Sequence, residues 1–199
     1  MIRRMIAAAT ALLLGVIALT GCSANDSLAQ QYQEGNEKGY IAGDFRVVEI
    51  AAGERGDPVV FEGVTETGET VSSDDYRGEV LVVNFWYAAC GPCIVEAPLL
   101  EEVWQEYQDQ GVSFLGVNTY DQPATALSFA RDNNVTYPSV IDVNDGKVKL
   151  AFAQVTPIQA TPTTLVVDKE GRVAARIIGQ LQSASILSTL VRDALGESP

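Results

Sequence analysis

The chain contains no histidine. That one absence excludes Ser-His-Asp triads, imidazole general bases and His-ligated metal centres. Cysteine is almost as scarce: three in 199 residues, at 22, 90 and 93. Basic side chains are also few, 13 Lys and Arg against 26 Asp and Glu, for a formal charge of −13. So acidic a chain, with no basic cluster, argues against a nucleic-acid partner. It argues equally against broad electrostatic adhesion to anionic lipid. No apolar run is long enough for a firm membrane span, and no internal repeat is visible.

What is present begins with a segment of a different character. Residues 1–21 carry Arg3 and Arg4, then an apolar stretch over 6–19. Basic start, short apolar centre and small residues at the end are the layout of an export signal peptide. Leu19-Thr20-Gly21-Cys22 resembles the lipobox of bacterial lipoproteins. That resemblance implies a diacylglycerol on Cys22 and a place on the outer face of the cell membrane, where two acyl chains hold far more durably than one. An ordinary secretory signal or an uncleaved anchor is the plainer alternative. Without Arg3 and Arg4 the remaining chain has 11 basic residues against 26 acidic ones. Residues 22–56 read as the lipidated cysteine and a flexible tether rich in Ser, Gln, Glu and Gly. Within that tether, 45–50 is a candidate peripheral strand. Residues 57–199 read as one domain, large enough for a single hydrophobic core.

Two of the three cysteines lie in Trp86-Tyr87-Ala88-Ala89-Cys90-Gly91-Pro92-Cys93. The run before it, Val80-Leu81-Val82-Val83-Asn84-Phe85-Trp86, reads as a buried strand, and 94–109 as a helix. A Cys-x-x-Cys pair at a strand-to-helix junction sets its first sulfur at the helix N-terminus. Unpaired N–H groups and the positive end of the helix dipole favour a thiolate there. The second cysteine, one turn on along the same face, is placed to close a disulfide. Cys90 is the candidate nucleophile and Cys93 the more buried resolving thiol. A half zinc site is the first alternative, but no further Cys or His completes it. An inert structural disulfide is the second, although so small a loop gains little chain entropy. The expected cofactor is none beyond the Cys90–Cys93 disulfide, and no metal is expected.

Downstream, patterning predicts a hairpin of 58–65 with 69–72 about Thr67-Gly68. It predicts a helical turn at 73–78, a second buried strand at 112–118 and a helix at 123–133. A short strand follows at 139–142 and a helical segment at 145–152. A hairpin of 163–168 with 172–178 precedes a closing helix at 185–195. Pro98 falls inside the helix after Cys93 and is expected to kink it. Strands alternating with helices imply an α/β sandwich, a mixed central sheet with helices on both faces.

At these residues the chain resembles the thioredoxin superfamily, and within it the membrane-tethered thiol–disulfide oxidoreductases of the TlpA/ResA type. The likeness rests on Cys90-Gly91-Pro92-Cys93 after its strand, on Pro98, and on Ala160-Thr161-Pro162-Thr163, which looks like the family's cis-proline loop. An extra segment near 120–145 also fits. The chain departs from thioredoxin at Ala89, where tryptophan is usual, and at Asn84, where a buried aspartate is usual. The resemblance implies a thioredoxin-like sandwich and dithiol–disulfide exchange with cysteine-containing protein substrates. It further implies a membrane thiol carrier as electron donor and cytochrome c maturation as a typical setting. A disulfide reductase is the expected direction, from the Gly-Pro spacer. An oxidising or isomerising exchanger is the alternative, with a peroxiredoxin-like peroxidase behind it, since Pro-x-x-x-Thr-x-x-Cys is absent before Cys90. A Sco-type copper chaperone lacks its histidine here.

The remaining site residues carry two readings each. Glu96 shares the Cys93 face of the helix; it is either a buried proton shuttle or an exposed carboxylate near the helix start. Asn84 is either an altered base position or a hydrogen-bonded core amide. Trp86 is structural or substrate-facing. Gly91, Pro92, Thr161 and Pro162 are the candidate substrate-binding rim. A cis Thr161–Pro162 bond would leave backbone groups for an extended substrate strand; a trans proline at a strand entrance is the alternative.

Overall fold

The computed structural model describes residues 47–197. The signal segment at 1–21, Cys22 and most of the tether lie outside the described residues. β1 (Val47–Glu49) comes first, followed by a 3-10 turn at Ala52–Glu54 and the hairpin β2 (Glu62–Val64) and β3 (Thr70–Ser72). After a second 3-10 turn, Ser73–Tyr76, come β4 (Val80–Trp86), α1 (Gly91–Tyr107), β5 (Val112–Asn118) and α2 (Pro123–Asn133). The chain continues through β6 (Ser139–Ile141), α3 (Lys147–Ala153), β7 (Thr163–Val167), β8 (Val173–Ile178) and α4 (Ala184–Gly196).

β4 is the centre of everything else. Its seven residues are all buried, as a strand covered on both faces must be. Val80 and Val82 point to the face covered by α1 and α4, against Leu100, Val103, Leu187, Leu190 and Val191. Leu81, Val83 and Phe85 point to the other, against Phe61, Val148 and Phe152. The sheet order is β1-β8-β7-β4-β5-β6. β4, β5 and β6 run parallel, while β7, β8 and β1 add antiparallel. This is the expected thioredoxin-like sandwich with a mixed sheet.

The candidate peripheral strand within 45–50 forms as β1 at the edge of the sheet; its partner is β8, with Val48 opposite Arg176. Two details differ from the sequence expectation. The strand expected from residue 58 starts only at Glu62. Val59 N–H donates to the Gly171 carbonyl and Ser73 N–H to that of Phe61, while Arg77 Nη2 donates to Val59 O. These single bonds take the place of a ladder and let Val59 and Phe61 enter the core. The helix after the cysteines begins at Gly91 rather than 94, because Cys90 itself caps it and proline in a first helical turn forfeits no hydrogen bond.

The segment at 120–145 builds α2 and the edge strand β6. The edge is not left open: Thr65 bridges to Val140, and Glu66 N–H donates to Ser139 O at 3.0 Å. The β2–β3 hairpin thereby covers backbone groups that an exposed edge would offer to another chain.

Candidate active site

Cys90 occupies the N-cap of α1 in extended conformation, with φ −78° and ψ 105°. Its Sγ accepts the Cys93 N–H at 3.2 Å, one of the orphan donors of the first turn. Cys90 and Cys93 are joined in a disulfide, their Cα atoms 5.2 Å apart. Across the groove the Thr161–Pro162 bond is cis, and the Thr161 carbonyl oxygen lies 4.0 Å from Cys90 Sγ. The sequence assigned Cys93 the deeper position. Instead the two cysteines are equally buried, at 2% exposure each. In the disulfide the Cys90 sulfur turns inward under the Thr161 carbonyl, so exposure is carried by Ala89, Gly91 and Pro92. Thr161 is half-buried and Pro162 buried.

Beneath the disulfide lies a polar cluster that sequence only partly anticipated. Glu96 is wholly buried, at 0% exposure, which sets aside the exposed-carboxylate reading. Its Oε1 accepts from Asn84 Nδ2 at 2.9 Å and its Oε2 from the Leu181 N–H at 2.7 Å. Asn84 also donates to Thr164 Oγ1 at 3.0 Å, so it is the hydrogen-bonded core amide. Burial pushes the Glu96 carboxyl up to about 7, against the pull of the Leu181 and Asn84 donors. An acid with that value exchanges its proton near neutrality.

Trp86, considered as a possible substrate contact, is 5% exposed and turned into the core. Its ring packs 4.3 Å from Phe129 and Nε1 donates to Ser139 Oγ at 3.2 Å. It clusters with both cysteines, Ala97 and Ala126, and supports the disulfide from below. The physical reason is alternation: as the last residue of β4, it faces α2, which the extra segment supplies.

Sequence reasoning missed Asp121. Its Oδ2 accepts the Ala88 N–H at 2.6 Å and Asn118 Nδ2 at 3.0 Å. Asn118 Oδ1 in turn accepts the N–H groups of Tyr120 and Asp121. The loop after β5 is thus tied to the loop before Cys90. An Asn-x-x-Asp run at the end of a buried strand is the signal that would have found it. Among the described residues no group of three or more potential metal ligands forms, and no helix is long and apolar enough to cross a membrane.

A capped Cys-x-x-Cys disulfide facing a cis-proline, at the C-terminal end of the central strand of a mixed sheet, is a thioredoxin-type arrangement. The AhpC/TSA family profile matches residues 56–176. The chain belongs to the AhpC/TSA family. Within its thioredoxin-like fold, the chain is similar to thiol-disulfide oxidoreductase ResA of Geobacillus thermodenitrificans (strain NG80-2). The two are 38% identical over 112 residues, 56% of this chain and 62% of that one. The chain thus spans a little under two thirds of the length of the curated relatives it matches. Among solved structures, a DsbF homologue from Corynebacterium diphtheriae superposes with a TM-score of 0.66 at 30% identity, covering 77% of this chain and 96% of that one. A secreted thiol-disulfide isomerase from Corynebacterium glutamicum gives 0.69 at 25% identity, covering 79% and 97%.

Proposed function

We propose that this protein is a thiol–disulfide oxidoreductase that exchanges the Cys90–Cys93 disulfide with cysteine-containing proteins outside the cytoplasmic membrane. The observation that carries the reading is the disulfide at the N-cap of α1 with a buried, near-neutral acid beneath it. On reduction the Cys90 sulfur keeps its cap position, where the helix terminus favours an anion. Cys90 attacks a client disulfide and forms a mixed disulfide. Cys93 gives its proton to Glu96, attacks Cys90 Sγ and expels the client thiolate. Thr161 and the exposed Gly91–Pro92 turn line the approach for an extended client strand. No cofactor beyond the disulfide enters this scheme.

We further propose anchorage through lipid on Cys22, a membrane thiol carrier as electron donor, and reduction as the working direction, with apocytochrome c a fitting client. The Gly-Pro spacer supports reduction. The isomerase among the structural neighbours favours isomerisation as a second reading. A peroxidase reading lacks its threonine: Tyr87 stands three residues before Cys90. Equilibration of the Cys90–Cys93 couple with dithiothreitol or glutathione tests the direction. A potential of about −250 mV or below supports a reductase, since thioredoxin lies near −270 mV; a value near the −120 mV of DsbA overturns that direction.

A further inference from the structure

Ala89 leaves the rim of Cys90 without the tryptophan usual in thioredoxin, yet the rim has aromatic surface of its own. Cys90 N–H donates to the Tyr87 carbonyl at 3.2 Å, so the two residues close one turn, their Cα atoms within about 7 Å. Tyr87 packs against the cluster that holds both cysteines. Its ring lies 5.7 Å from that of Tyr120, and Tyr120 is 72% exposed. Tyr120 is not loose on its loop. Its N–H and that of Asp121 donate to Asn118 Oδ1, and Asp121 Oδ2 accepts from the Ala88 N–H and Asn118 Nδ2. Asp121 is half-buried, and among the described residues its Oδ1 takes no hydrogen bond. Two rings and a carboxylate thus stand together, tied by hydrogen bonds to the turn that carries the nucleophile. The charge around them is one-sided. The segments that meet at the site, 86–98, 118–122, 157–163 and 179–183, hold no Lys or Arg. Their two carboxylates are Glu96, wholly buried, and Asp121, which reaches solvent.

We propose that the Tyr87–Tyr120 pair and Asp121 form a subsite for a lysine or arginine side chain flanking the client's exchanging cysteine. The inference rests on the exchange reaction proposed above and names a substrate class for it. An aromatic face is electron-rich and attracts a cation. An apolar side chain set against Asp121 would strip water from the carboxylate and replace it with nothing. Hydrocarbon finds a better surface on α1, where Ile94 and Val95 are exposed. A client residue one or two positions from its cysteine sits about 3.5–7 Å along an extended strand. A long basic stem reaches further and lays its methylenes on the rings. The cation–π contact and the ion pair then hold the client while Cys90 attacks.

The test uses the reduced full chain in a Cys22→Ser background, so that only this pair reacts, and short peptides whose one cysteine carries nitrothiobenzoate in a mixed disulfide. Cys90 Sγ bonds the peptide sulfur, the S–S bonding pair leaves on nitrothiobenzoate, and the colour released gives a second-order rate. Lysine beside the cysteine is compared with norleucine, its neutral counterpart, and each rate is divided by that of free cysteine with the same peptide. Salt is held at about 0.15 M, where exposed charges more than about 8 Å apart are screened. The lysine peptide should react about tenfold faster, the combined scale of an exposed cation–π contact and a surface ion pair. Tyr120→Leu removes the exposed ring; Asp121→Asn removes the charge and keeps an oxygen for the Ala88 N–H. Each should cut the preference to about threefold or less. Glu102→Gln removes an exposed charge about three turns down α1 and should leave the preference as it is. Equal rates for the two peptides with the parent protein, or a preference that survives both rim variants, would overturn the subsite. If free cysteine releases colour from the peptides and the reduced protein does not, the exchange reading itself has failed and the subsite falls with it.

Discussion

Glu96→Gln should remove a pH dependence of stability that the parent protein carries. The folded carboxyl sits at about 7 against an ordinary 4.5, chiefly through desolvation. The folded state therefore holds this proton more tightly than the unfolded chain. Below the unfolded value both states are protonated and the group costs nothing. As pH rises from there toward the folded value, the unfolded chain ionises first and stability falls. Above the folded value the loss is complete, about 3 kcal/mol for a shift of this size. Gln is neutral throughout and shows no such fall. It also offers one acceptor oxygen where Asn84 and Leu181 present two donors, so the variant carries a constant penalty of about 1–3 kcal/mol for an unpaired buried donor. The offset cancels when the comparison is made across pH. Asp142, whose carboxyl burial also raises, is common to both proteins and cancels as well. Guanidinium unfolding of the oxidised proteins at pH 5 and pH 8 should show the stability gap shifting in favour of the variant by about 2–3 kcal/mol. Parallel profiles would refute the desolvated-acid assignment, and proton transfer at Cys93 would go with it.

Gly116→Ala probes the support under the disulfide: the added Cβ would stand 2.1 Å from Ser139 Oγ and 2.8 Å from Trp86 Nε1. Breaking that bond should cost about 1–3 kcal/mol by overpacking and alter the tryptophan near-UV circular dichroism. Arg55→Ala removes a guanidinium only 4% exposed that pairs with Asp168, itself 1% exposed. Because Arg172 still pairs with Asp168 at 2.9 Å, the loss in a denaturation midpoint should be about 2–3 kcal/mol, below the ~3–5 of an isolated buried pair. Cys93→Ala should accumulate covalent adducts through Cys90 with a client protein that carries scrambled disulfides, seen on non-reducing gels; free, unmodified Cys90 after incubation would count against attack by that sulfur.

Most of the fold was legible because its core is written in continuous apolar runs. β5 and α2 fall within the predicted limits, since a buried strand and a Pro-started amphipathic helix are local signals. The site was legible where it is also local: Cys90, Pro92 and Cys93 share one turn. What sequence left open depends on distant partners. Burial of Glu96 is decided by Leu181 and Asn84, which arrive from α4's approach and from β4. Whether Cys90 is open depends on Thr161, which follows it at long range. The inward turn of Trp86 depends on Phe129 and Ser139. The short β2 was misjudged because Val59 and Phe61 alternate like a strand while bonding singly to Gly171, Arg77 and Ser73.

Time-resolved alkylation of the reduced protein at neutral pH, followed peptide by peptide, addresses the central claim most directly. A sulfur held at the head of α1 should be modified first and faster than free cysteine, with Cys93 lagging. If Cys90 reacts no faster than free cysteine, or later than Cys93, the account is contradicted.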